Sequence, residues 1–202
     1  MVDLSILVVS DRRLFPGDPE GMVQALCACL RGGARAVEVG DSDLAGHDLL
    51  ALALRLREPT RQAGGLLLVA ERADVALAAE ADGVHLGCGA LPAPAVRKLA
   101  RRLNSSFLIG RSVTTVEEAA LGQLEDADFL VFTPVWPEPG LDALRAVAAS
   151  VRRPVLAGGG LTPEQLPALR EVGVAGLVLG REVLEASDPE RETARFLAAW
   201  QA

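Results

Sequence analysis

Eight short apolar runs recur along this chain, and each is followed by a longer stretch of helical spacing. The runs are 6–10, 36–40, 66–70, 83–86, 107–111, 129–132, 154–157 and 176–179. They lack strict polar/apolar alternation, as parallel strands covered on both faces do. The helical stretches are 21–30, 49–61, 73–81, 93–103, 116–124, 141–151, 163–172 and 189–200. Gly32-Gly33 and Gly64-Gly65 stop the first two. Thr162-Pro163-Glu164-Gln165 opens the seventh with a cap residue, a proline at the first helical position and an acidic first turn. Eight β-then-α units in 202 residues predict a single (β/α)8 TIM barrel over 1–202, at the small end of its size range. The alternative is an open doubly wound sheet. That fold usually has fewer strands and an early glycine fingerprint, whereas the glycine-rich turns here come late.

The formal charge of −7 argues against nucleic acid as a partner, because phosphate backbones are bound by clustered Lys and Arg. It leaves room for a small anionic ligand at a local site. The three cysteines, Cys27, Cys29 and Cys88, are odd in number and lack paired spacing, so no disulfide framework is expected. Nor does any Cys/His spacing with His47 or His85 suggest zinc. Cys27 and Cys29 read as ordinary helix residues. The first residues carry an early acid and too short an apolar run for a signal peptide, and no stretch approaches a membrane span. A soluble cytoplasmic protein with no membrane partner is expected; a homo-oligomer is left open.

In a barrel, chemistry collects where strands end. Gly158-Gly159-Gly160 and Leu179-Gly180-Arg181 follow the last two strands. Glycine lets backbone N–H groups approach an anion, a helix N-terminus adds partial positive charge, and Arg181 adds a forked cation. These residues are expected to hold a phosphate; the plain alternative is a tight strand-to-helix turn. Glu38, after strand two, and Glu71, after strand three, are the candidate acid and base, provided they converge over the mouth. Asp41 and Asp43 read as solvated loop acids, and Glu71 has Arg72 as an alternative partner. His85 reads as a hydrogen-bonded structural residue. Cys88 sits in a glycine-flanked loop with no evident base, so a nucleophile is not expected there. Ser112 either orients a ligand or caps the next helix. Trp136, in a loop stiffened by Pro134, Pro137 and Pro139, reads as rim cover.

Taken in order, these motifs resemble the thiamine phosphate synthase/TenI family over nearly the whole chain. The markers are Val8-Val9-Ser10-Asp11-Arg12, Gly32-Gly33, Arg72-Ala73-Asp74-Val75-Ala76-Leu77 and Ala81-Asp82-Gly83-Val84-His85-Leu86-Gly87. Ile109-Gly110-Arg111-Ser112-Val113, Glu117-Glu118-Ala119, Asp126-Ala127-Asp128-Phe129 and the glycine turn complete the set. The stretch around Ser112 looks closer to the TenI branch. The resemblance implies a barrel that binds thiazole phosphate. The synthase joins that thiazole to a pyrimidine pyrophosphate with Mg²⁺; TenI-type tautomerases aromatise it by proton transfer.

Several positions depart from the pattern. The synthase's Gln-x-Arg-x-Lys appears as Glu38, Gly40 and Ser42, so two cations are missing. Its Asn-Asp appears as Ala70-Glu71, its metal-binding Asp falls at Ala90, and the loop after strand six has no lysine. Acids without their cations repel a pyrophosphate–Mg²⁺ complex. Neither a metal site nor another cofactor is therefore expected. The position of the TenI-type catalytic His holds Pro134. The leading expectation is an isomerase of a small phosphorylated heterocycle, with Glu38 and Glu71 moving protons, Ser112 orienting the ring, and Gly158, Gly159, Gly160, Gly180 and Arg181 on the phosphate. A catalytically inactive binding or regulatory protein, and a synthase with an altered site, are the alternatives.

Overall fold

The computed structural model describes residues 2–87, 89–104, 106–136 and 140–202. Eight strands form a closed parallel barrel in chain order: β1 (Ile6–Val9), β2 (Ala36–Val39), β3 (Leu66–Ala70), β4 (Gly83–Leu86), β5 (Leu108–Val113), β6 (Phe129–Phe132), β7 (Val155–Gly158) and β8 (Gly176–Leu179). The last strand returns to the first, with Leu7 opposite Val178. Every expected strand is present, with ends displaced by at most two residues.

Alternation divides each strand between two apolar layers. Val37, Val39, Leu67, Val69, Val84 and Leu86 face outward and are buried beneath the helices. Leu7, Leu68, Phe129, Leu156 and Val178 face inward and fill the barrel. Burial on both faces is why the strands read as nearly continuous apolar runs. The Phe129 ring sets one local requirement. A Cβ at Gly110 on the neighbouring strand would lie 2.4 Å from that ring, so glycine is needed there.

The helices are α1 (Pro19–Arg31), α2 (Gly46–Gln62), α3 (Ala73–Ala78), α4 (Ala93–Ala100), α5 (Val116–Leu124), α6 (Gly140–Ser150), α7 (Leu166–Val172), α8 (Arg181–Leu184) and α9 (Pro189–Gln201). Asp18 caps α1 by accepting from Gly21 N–H at 2.8 Å. The 163–172 stretch opens with a 3₁₀ turn, Pro163–Gln165, whose N-cap is Thr162 as the sequence suggests. Two pieces were not expected: the single turn of α8 and a 3₁₀ turn at Arg12–Leu14. Cys29 is buried in α1, and that burial pushes its thiol up to about 11, which fits a packing role. Among the described residues, no helix is long and apolar enough to cross a membrane.

Candidate active site

The C-terminal ends of the strands form the mouth of the barrel, and the buried Phe129 ring lies 6.4 Å from the His85 ring, centroid to centroid. Glu38 on β2 and His85 on β4 both point inward, because their neighbours Val37, Val39, Val84 and Leu86 belong to the outer layer. The intervening strand brings Ala70 into register with His85, and its methyl leaves the span between β2 and β4 open. Glu38 crosses it. His85 Nδ1 lies 3.1 Å from Glu38 Oε1 and 3.0 Å from Oε2. On the other side, His85 Nε2 lies 3.0 Å from Ser112 Oγ on β5. Glu38, His85 and Ser112 therefore form one hydrogen-bonded line across three strands. The Glu38 side chain is 4% exposed and that of His85 12%, so water competes little for these bonds.

Burial is the largest influence on the His85 ring and works against its charge. The Glu38 carboxylate, by charge and by hydrogen bond, together with the charge of Glu71, outweighs that burial. The ring consequently holds its proton more tightly than an ordinary histidine. The sequence predicts a hydrogen-bonded His85, and here both ring nitrogens have partners, Glu38 and Ser112. Ser112 is not the cap of the next helix, since Thr115 caps α5 by accepting from Glu118 N–H.

Glu71 does not meet Glu38 as expected. Its backbone is left-handed, with φ of 63°, and its Oε1 accepts from Gly87 N–H at 2.9 Å. Arg72 is not its partner either, for that guanidinium binds Asp74 at 2.7 Å. Asp41 corrects another expectation. Far from solvated, it is buried, and it accepts from Ser10 Oγ at 2.5 Å and Arg12 N–H at 2.9 Å. These bonds tie the loops after β1 and β2. Asp43 does stand at the surface, paired with Arg12 at 2.5 Å.

The glycine corner is built as expected, but it is occupied. Gly159 and Gly160 adopt φ of +89° and +69°, conformations open to glycine. Gly160 N–H donates to Glu182 Oε1 at 2.9 Å and Gly180 N–H to Glu182 Oε2 at 2.8 Å. Gly158 belongs to β7, with Val178 and Thr133 against it. Arg181 is turned outward, 67% exposed, and pairs with Glu185 at 2.7 Å. Trp136 packs partly buried against the outer core, the rim role read from the sequence. Cys88, Pro137 and Pro139 lie outside the described residues.

The donors do not fit the Mg²⁺ that the coupling reaction implies. Glu71 is spent on Gly87, Asp41 on Ser10 and Arg12, and Ala90 ends in a methyl. Among the described residues, no group of three or more His, Cys, Asp or Glu is arranged to hold a metal. The rim cations are likewise engaged: Arg13 binds Asp11 at 2.7 Å, in addition to the Arg12, Arg72 and Arg181 pairs above. The Arg13 hydrogen bond in turn holds Asp11 below the usual carboxylate range.

This barrel has well-matched relatives. A family model described as thiamine monophosphate synthase matches residues 6–183. The chain is 37% identical over 207 residues to a putative thiamine-phosphate synthase of Geobacter sulfurreducens, covering 98% of this chain and 94% of that protein. A thiamine-phosphate synthase of Syntrophomonas wolfei is 31% identical, with 98% and 97% covered. The solved thiamine phosphate pyrophosphorylase from Pyrococcus furiosus superposes with a TM-score of 0.88 at 31% identity, covering 98% and 96%. A 3-hexulose-6-phosphate synthase superposes at 0.77 with 18% identity and shares the fold alone. On the strength of the matched motifs, the full-length relatives and the common barrel, the chain belongs to the thiamine phosphate synthase/TenI family.

Proposed function

We propose that this chain is an acid–base enzyme acting on a heterocyclic building block of thiamine, with the Glu38–His85–Ser112 line as its proton path. The observation that carries the reading is the line itself, three polar side chains in series from β2, β4 and β5. Glu38 faces Nδ1 and favours the protonated ring over burial, so His85 is the acid of the line. It donates its Nε2 proton to one atom of the bound heterocycle and recovers a proton from a neighbouring atom, which is a tautomerisation. Ser112, within hydrogen-bond reach of Nε2, orients the ligand and relays the proton. Glu71 acts through its charge on His85 rather than by touching the ligand. The relatives' place in biosynthesis supports a cytoplasmic setting and small-molecule substrates.

A second reading is coupling of a thiazole phosphate with a pyrimidine pyrophosphate. It is supported by relatives that carry the name thiamine-phosphate synthase over nearly their full lengths. One experiment separates the two. The protein is incubated with the thiazole tautomer alone, and separately with both phosphorylated halves and Mg²⁺. Isomerised thiazole from the first mixture, reduced by roughly 10²–10⁴-fold in His85→Asn, is expected. Thiamine phosphate from the second mixture, with no isomerisation in the first, establishes the second reading instead. A folded protein that does neither removes both.

A further inference from the structure

The turn after β7 and the turn into α8 present a cup of backbone N–H groups, and the cup already holds an anion belonging to the chain. Glu182 folds back over Gly180. Its Oε1 accepts from Gly160 N–H at 2.9 Å and from Leu161 N–H at 3.2 Å, while Oε2 accepts from Gly180 N–H at 2.8 Å. Capping α8 would need only the bond to Gly180. The two bonds to the β7 turn do something else: they seat the carboxylate across two loops, where an external oxyanion would sit.

The surroundings agree. The cup borders an open cleft of about 800 Å³, whose charged lining residues are Glu182, Glu185, Glu192 and Arg181. The one cation among them points to solvent and is bound to Glu185. A phosphate entering here would have to displace Glu182 from three backbone N–H hydrogen bonds, then share the corner with the displaced carboxylate. Like charges that close repel, and a built-in repulsive group discriminates between ligands as surely as an attractive one.

We infer that Glu182 is a specificity-determining residue that fills the anion cup, so that the ligand of this chain reaches the β7–β8 corner with an uncharged end rather than a phosphate. The inference rests on the proposed function only in taking the barrel mouth as the ligand site.

The test is binding of inorganic phosphate, with ionic strength held constant by chloride, to the wild type, Glu182→Gln and Glu182→Ala. Calorimetry reads the affinity, and thermal unfolding in chloride confirms that each protein is folded. Glu182→Ala is expected to bind phosphate at least about tenfold more tightly than the wild type, with Glu182→Gln between them. Glu182→Gln keeps the side-chain shape, so it decides the matter should Glu182→Ala not fold. Equal affinity in the wild type and the folded variants overturns the inference, as does absence of phosphate binding in every protein. Phosphate binding is read without turnover, so failure of the proposed proton transfer leaves the result intact.

Discussion

Replacing Glu38 by Gln keeps the length and shape of the side chain and removes its charge, so it isolates what the carboxylate does to His85. Nδ1 lies 3.0 and 3.1 Å from the two oxygens. At an effective dielectric of about 20, unit charges about 3 Å apart attract by roughly 5 kcal/mol. Desolvation of two buried ions takes back much of this. A hydrogen bond to a charged group nets about 2 kcal/mol, which is the stability at stake. Its sign follows from the titration. In the wild type the folded ring holds its proton above the unfolded value of 6.5. The contribution is therefore complete below 6.5 and fades as pH rises through the folded value. In Glu38→Gln burial remains, opposed only by the more distant Glu71, so the folded value drops below 6.5 and acid becomes destabilising. The gap in unfolding free energy between the two proteins should be about 2 kcal/mol at the acid end of a series from about pH 5.5 to 8.5 and shrink toward the other end. Urea unfolding measures it. Proton NMR of the imidazoles follows the ring directly. A wild-type His85 that titrates at or below 6.5, or a gap that does not change with pH, would refute the reasoning.

Glu71→Gln preserves the acceptor for Gly87 N–H and removes only a charge acting at a distance. The same NMR titration should show His85 falling by less than in Glu38→Gln, and an equal fall would return Glu71 to the proton path. Gly110→Ala drives a methyl to 2.4 Å from the Phe129 ring, which itself lies 6.4 Å from the His85 ring. Overpacking of this kind costs about 1–3 kcal/mol and should lower the urea midpoint without changing the slope. An unchanged midpoint would mean that the ring can yield.

The barrel was legible because burial on both faces leaves a plain mark on each strand, and eight such marks in series admit few architectures. Much of the site was legible by the same logic. Val37-Glu38-Val39 and Val84-His85-Leu86 each set a polar residue between two outward apolar ones, so both polar residues face in. Applied to His85, that parity would have marked it as a mouth residue. It also predicts that Glu71 points away, since Leu68 and Ala70 take the inward positions of β3. What a sequence read alone does not supply is the reach between strands. The meeting of Glu38 with His85 depends on barrel closure and on the small Ala70 between them. Asp41 was misread because its partners, Ser10 and the Arg12 amide, are brought by a different strand. Glu182 was missed because α8 is a single turn, too short to show any periodicity.

The two sides of the mouth can be weighed together by their charge. On the β2–β5 side, His85 is already faced by the Glu38 carboxylate, so it offers no spare cation to an anionic ligand. On the β7–β8 side, the amides that would receive an anion hold Glu182. Around the rim, Arg12, Arg13, Arg72 and Arg181 are each bound to a carboxylate. At each of these places a ligand bearing concentrated negative charge must break an existing pair and leave a carboxylate uncompensated beside it. A neutral heterocycle needs to break none of them. On the proposed reading, one of its ring atoms faces Ser112 Oγ and His85 Nε2. On the function proposed above, the same distribution of charge disfavours a pyrophosphate and favours proton transfer to an uncharged ring.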